Sequence, residues 1–226
     1  MVYFALDMNQ PFQQLPRTLW IGMLLVLVML CVAYALSLME LSRVRRLQAL
    51  PVLGPVADFA LLNQDARATT LADLSNHVWI ADIIFSRCAG SCPVMSGQMK
   101  SLQDALPPAS KAKLVTLTTD PDFDTPPVLK KYAERFGADS SRWMFLTGTK
   151  LDIARLAANS LKLSAVPVKP EEKKDPADLF IHSTIFVIVD KQARLRGTFE
   201  TEGDGVNWTN VQSRIVATVN HLELEK

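Results

Sequence analysis

Two cysteines four residues apart, Cys88 and Cys92, are the side chains of this chain best placed to do chemistry. They follow an apolar, β-rich run, Val78 to Phe85, that reads as a buried central strand. A short loop with Gly90 comes next, and Pro93 sits in the first turn of a helix, where a missing N–H costs nothing. Met95, Met99, Leu102 and Leu106 then recur on one helical face. A helix N-terminus favours thiolates and lowers a cysteine pKa from about 8.5 to as little as about 3.5–7.5. Thiolates are nucleophiles in disulfide exchange and soft ligands for Cu(I), zinc or iron–sulfur clusters. A purely structural disulfide is the plainer alternative, but a loop this short gains only roughly 2 kcal/mol, against about 4 for a long one. Working thiols are the expected reading.

Two thiolates do not complete a metal site, so the three histidines come under scrutiny. His77 begins the strand that ends before Cys88, which puts it on the order of 25 Å from the thiols. His221 falls in a terminal helix beside Glu223 and Glu225, as a surface residue does. His182 begins a strand. If that strand runs antiparallel to Val78–Phe85, its start lies beside the cysteines. A lone histidine is more often structural, but that geometry favours a ligand. Cys88, Cys92 and His182 form a soft, low-coordinate set suited to Cu(I), with imidazole also able to serve Cu(II). Zinc uses similar ligands but prefers a fourth. Met95 and Met99 read as core filler.

The elements that must position these residues alternate between strand and helix. Asp58–Leu62 and the segment around Ala68–Thr70 bracket a polar turn as a hairpin. Lys113–Thr119 reads as a strand and Asp120–Pro126 as a loop, with Asp124 or Thr125 capping the next helix. Trp143–Thr147 is a strand, and Lys150–Leu161 a helix with Leu151, Ala154, Leu156 and Ala158 inward. Residues 164–178 form a polar, proline-bearing excursion. Ile181–Val189 returns as a core strand with Arg194–Phe199 as its hairpin partner, and Val211–Leu222 is a closing helix. The sum is a thioredoxin-like α/β domain with an N-terminal hairpin, preceded by one transmembrane helix.

That helix is Thr18 to Met39, an uncharged apolar run long enough to cross a bilayer core of about 30 Å. A cleavable signal peptide competes, since Ala33-Tyr34-Ala35 resembles a cleavage site, but the run exceeds the usual signal core and an uncleaved anchor is expected. Cys31 lies inside it as a membrane-facing or packing residue. The expected organisation is a short segment 1–17, an anchor 18–39, a juxtamembrane linker 40–57 and a domain 58–226. Arg43, Arg45 and Arg46 after the span, against Arg17 before it, point by charge to a cytoplasmic domain. The 226 residues, 49% of them hydrophobic, suit one domain plus this anchor, and a net charge of +1 gives no reason to expect nucleic acid. Three cysteines do not make a disulfide scaffold.

The stretch from Asp58 to Phe199 resembles the Sco/SenC copper-binding proteins of cytochrome c oxidase assembly. The likeness rests on Phe85-Ser86-Arg87-Cys88 through Cys92-Pro93, Thr119-Asp120-Pro121 with Asp124-Thr125-Pro126, Leu146-Thr147-Gly148, and His182-Ser183. The resemblance implies that Cys88, Cys92 and His182 ligate copper. It implies a metallochaperone delivering copper to the binuclear site of cytochrome c oxidase subunit II, supplied by an upstream copper donor. It further implies a single-pass inner-membrane anchor and a domain facing the periplasm or mitochondrial intermembrane space, against the arginine signal. Thiol–disulfide oxidoreduction, keeping the cysteines of that oxidase site reduced, is the alternative activity. CxxxC spacing argues mildly against a general oxidoreductase, which more often has CxxC. Two positions depart from many relatives. Ala89 stands where they carry Pro, and Ile181 where they carry an Asp that would steady the ligand imidazole.

Overall fold

The computed structural model describes residues 17–48, 50–167 and 180–225, with the side chains of residues 19–39, 50–164 and 183–225. The chain divides into two compact units, Met1–Ala49 and Leu50–Lys226. The first contains α1, Arg17–Gln48. Within it Leu19–Met39 has a mean hydropathy of 2.6, long and apolar enough to cross a membrane. Its side chains, Cys31 among them, are exposed all round, so among the described residues of this unit none is buried in a core. The stretch expected as a linker, residues 40–57, divides in two. Its beginning prolongs α1 to Gln48, and its end, from Leu50, belongs to the second unit. Residues 1–16 lie outside the described part.

The second unit is built on an eight-stranded mixed sheet. In chain order the strands are β1 Gly54–Pro55, β2 Ala60–Asn63, β3 Ala68–Thr70, β4 Trp79–Ile84, β5 Lys113–Thr118, β6 Trp143–Thr147, then β9 Ile185–Val189 and β10 Arg194–Glu200. Across the sheet they run β1-β10-β9-β4-β5-β6-β2-β3. β4, β5 and β6 are parallel, whereas β9 lies antiparallel to β4, pairing Trp79 with Val189 and Ala81 with Val187. A separate two-stranded sheet holds β7 Ala165–Pro167 and β8 Phe180–His182. The helices are α2 Ser91–Ala105, α3 Pro126–Arg135, α4 Lys150–Ala154, followed by a π-helical turn Arg155–Ser160, and α5 Trp208–Leu224. This is the expected thioredoxin-like arrangement, with β2 and β3 as its N-terminal hairpin.

β4 is buried at every position, which is why it reads as an unbroken apolar run rather than an alternating one. Ile80 and Ile84 point to one face, against Met95, Met99 and Leu102 of α2, Leu129 and Tyr132 of α3, and Ile215 and Val219 of α5. Trp79, Ala81 and Ile83 point to the other, against Ile153, Leu156 and Ala157. Each isoleucine, leucine or methionine among them contributes about 1.5–3 kcal/mol on burial, so the strand is held from both sides.

Three sequence expectations change. Ile181–Val189 is not one strand: Ser183 N–H donates to Ser164 O at 2.8 Å, drawing the chain toward β7, and Thr184 O accepts Thr201 N–H at 2.9 Å, returning it to β10. Of the four residues expected inward on the helix after Lys150, only Leu156 is buried. Ile153, Leu156, Ala157 and Ser160 make the inner face instead, and Leu151 is 59% exposed. The edge strand β1 is new; a Gly-Pro pair carries no strand signal, and its position comes from Gly54 pairing with Leu195. Beside it Arg196, 2% exposed, donates to Asp190 at 2.7 Å, Leu50 O at 2.8 Å and Pro51 O at 3.2 Å. Part of the excursion expected at 164–178 lies outside the described residues.

Asp82 is the exception within β4, fully buried, with neither carboxyl oxygen hydrogen-bonded. Burial pushes its carboxyl up to about 7. A carboxyl raised in the folded chain holds its proton more tightly there. Its contribution to stability is complete below about pH 4 and is lost as pH rises through about 7. Asp82→Asn should therefore gain on the wild type between pH 5 and pH 8, by a few kcal/mol at most, in denaturation of the detergent-solubilised chain. An equal difference at both pH values would mean that the buried carboxyl titrates as it does in water.

Candidate metal centre

β4 delivers its end to the site. Beyond Ile84 the buried Phe85 closes the core, and Cys88 N–H turns back to Phe85 O at 3.2 Å. α2 then begins at Ser91, two residues before Pro93, with Cys92 in its first turn. The buried face of α2, Met95, Met99 and Leu102, fixes Cys92 against the sheet, which confirms the methionines as core. Cys92 is 0% exposed and its sulfur accepts Phe85 N–H at 3.5 Å. Cys88 is half-buried, and its sulfur accepts Gly90 N–H at 3.4 Å. The two thiols lie close enough to act on one another.

They are not equivalent. The sequence leads one to expect thiols made more acidic by the helix N-terminus, but burial pushes the Cys92 thiol well above the ordinary range. Phe85 N–H works against that shift, while the Cys88 thiol and the Asp82 carboxyl beneath add to it. One dipole end cannot offset complete removal from water.

A group of acidic residues, not foreseen for this role, holds the loop that carries Cys88. Of the two expected caps for α3, Thr125 is the N-cap, without a side-chain bond, and Asp124 is turned inward, 0% exposed. Its carboxylate accepts Ser86 N–H at 3.1 Å together with the Ser86 and Thr118 hydroxyls. Asp120 accepts the Arg87 guanidinium, which also lies 4.1 Å from the centre of the Phe123 ring. A signal for this was available: β5 is the parallel neighbour of β4, so the loop after β5 must lie beside the loop after β4.

The histidines separate as follows. His77 stands before β4, at the end opposite the cysteines, with Nδ1 2.9 Å from Ser75 O. His221 is exposed in the last turn of α5. His182 ends β8, its backbone paired with Ala165, three residues before β9 begins. Because β9 is antiparallel to β4, that beginning lies toward the end of β4 from which Cys88 emerges. The His182 side chain is outside the described part. Among the described residues no three His, Cys, Asp or Glu side chains gather into a metal-binding group.

The geometry has counterparts among known proteins. The chain is 33% identical over 147 residues to a SCO1 protein homolog of Bacillus subtilis, a match spanning 64% of this chain and 73% of that one. It superimposes with a TM-score of 0.64 on BsSco, described as a member of the Sco family of cytochrome c oxidase assembly proteins in which a disulfide switch was identified. That pair is 27% identical, over 79% of this chain and 99% of the other. Yeast Sco1 with copper bound shares the fold at 23% identity and a TM-score of 0.60, over 75% of this chain and 90% of that one. The family model for SCO1/SenC matches residues 54–217, a stretch that takes in β4, both thiols and the whole sheet, and the chain accordingly belongs to the SCO1/SenC family.

Proposed function

We propose that this chain is a membrane-anchored copper carrier. It holds copper through Cys88, Cys92 and His182 and passes it to the binuclear copper site of cytochrome c oxidase subunit II. The observation that carries this reading is the antiparallel register of β9 on β4, which leads the backbone of His182 toward the thiol end of the sheet. Family membership supports it, as do the oxidase-assembly role of the family to which BsSco belongs and the copper bound to yeast Sco1. Two thiolates and an imidazole make a low-coordinate site that retains Cu(I) and still accepts an incoming ligand. Cys88 is the exposed side of such a site and Cys92 its floor. A partner's thiolate would therefore exchange first at Cys88. Copper is cargo here, taken from an upstream donor and handed on.

The inequality of the thiols favours a second reading, reduction of a partner disulfide. Cys88 would attack one partner sulfur and release the other as a thiolate. Cys92 would then attack the Cys88 sulfur, freeing the second partner thiol and leaving a Cys88–Cys92 disulfide. Two electrons pass to the partner.

His182 separates the two. His182→Ala should weaken copper binding by about 10-fold or more while leaving reduction of a small disulfide largely intact, and His77→Ala should change neither. Copper titration of the reduced proteins checks this, and equal binding by all three would leave the reductase reading as the better one. The thiol order has its own measurement. Under limiting iodoacetamide, mass mapping should find Cys88 alkylated well before Cys92, and equal rates would contradict the assigned roles. We place the domain outside the cytoplasm, in the periplasm or intermembrane space, anchored by Leu19–Met39 in the inner membrane. A cytoplasm-only reporter fused after Lys226 should then be inactive; an active one would remove the oxidase reading.

A further inference from the structure

Asp124 spends a fully buried carboxylate on three donors from two strand ends: Ser86 N–H and Ser86 hydroxyl after β4, and Thr118 hydroxyl at the end of β5. Burying a carboxylate is expensive, and hydrogen bonds that satisfy it do little more than offset the loss of water. Such a group is better explained by the geometry it enforces than by stability. Two of its three donors belong to Ser86, two residues before Cys88. Cys92 is positioned quite differently, by the buried face of α2. The two sulfurs therefore share Phe85, which bonds the Cys88 N–H and the Cys92 sulfur, but differ in their further support: α2 packing for Cys92 and the Asp124–Ser86 contacts for the turn of Cys88. Arg87 and Asp120 make a further contact to the same turn, but the Arg87 side chain is 44% exposed, and a pair of that kind contributes little.

We propose that Asp124 is the positioning residue of the thiol pair. By holding Ser86 it sets where the Cys88 sulfur stands relative to that of Cys92. It thereby governs both the grip of the pair on a soft metal ion and the ease with which the pair closes to a disulfide. The metal half of this statement rests on the copper-carrier reading; the disulfide half does not. An amide in place of the carboxylate can still accept Ser86 N–H through its oxygen, while its NH2 faces a hydroxyl able to turn and accept. Asp124→Asn is therefore the mild variant and Asp124→Ala the severe one.

The test uses the full chain in detergent and two equilibria, Cu(I) competition against a chromophoric chelator and dithiol–disulfide exchange in glutathione buffers. Asp124→Ala should weaken Cu(I) binding roughly 10–100-fold, as loss of a group that orients a ligand does. It should also move the glutathione equilibrium by more than about threefold. Ser86→Ala should move both in the same direction, Asp124→Asn should largely restore both, and the double Ala variant should add little to Asp124→Ala. Leu195→Ala, which opens a cavity on the other face of the sheet, is the control for lost stability. It should lower the melting temperature and leave both equilibria near wild type. If Leu195→Ala shifts them as much, or if Ser86→Ala and Asp124→Ala shift neither, Asp124 is only a stabilising residue and the proposal is overturned. Should Asp124→Ala fail to fold, Ser86→Ala decides alone. A wild type that binds no Cu(I), with a glutathione equilibrium still moved by Ser86→Ala, sinks the copper reading and leaves the positioning role standing.

Discussion

Burial of β4 on both faces, between a parallel neighbour on one side and an antiparallel one on the other, is the constraint from which the site follows. A strand so enclosed cannot slide, because a one-residue slip would send Ile80 and Ile84 into the packing made for Trp79, Ala81 and Ile83. Its end is therefore a fixed point. The neighbours then determine what gathers there. Parallel β5 brings the loop with Asp120 and Asp124 to the same end, and antiparallel β9 brings the chain just after His182. Three segments far apart in sequence meet at one edge because of strand direction alone.

The two thiols of the candidate site sit on elements of different kinds. Cys92 is part of the core, packed with α2 and closed to solvent, while Cys88 sits in a turn tied down by hydrogen bonds to a loop. A helix held by apolar packing is stiff, whereas a turn held by a few polar contacts has room to adjust. In the proposed chemistry the Cys92 sulfur would be the reference point, and the turn held by Asp124 would set the Cys88 sulfur against it.

Much of this architecture was legible in the chain because its signals are local. The apolar run before Cys88, the helical spacing of Met95, Met99 and Leu102, and the turn of Asn63–Arg67 each announce their element within a few residues. What was not legible depends on contacts between distant segments. Ile181–Val189 carries an unbroken strand pattern, yet Ser183 and Thr184 exchange partners at Ser164 and Thr201 and divide it. Asp124 beside Pro126 reads as a helix cap, and nothing nearby says that Ser86 competes for its carboxylate. The acidity of Cys92 was misjudged for the same reason. Its place at a helix start is a sequence property, but the depth of its burial belongs to the finished core.

The unequal exposure of the pair also bears on survival among reactive oxygen species. An oxidant arriving from solvent would meet the half-buried Cys88 before the buried Cys92. A sulfenic acid formed there would have a neighbouring thiol with which to condense to a disulfide, with loss of water, before a second oxygen is added. A disulfide returns to two thiols with any ordinary dithiol reductant, whereas a sulfinic acid does not. In such an arrangement one sulfur would take the damage and the other would keep it reversible.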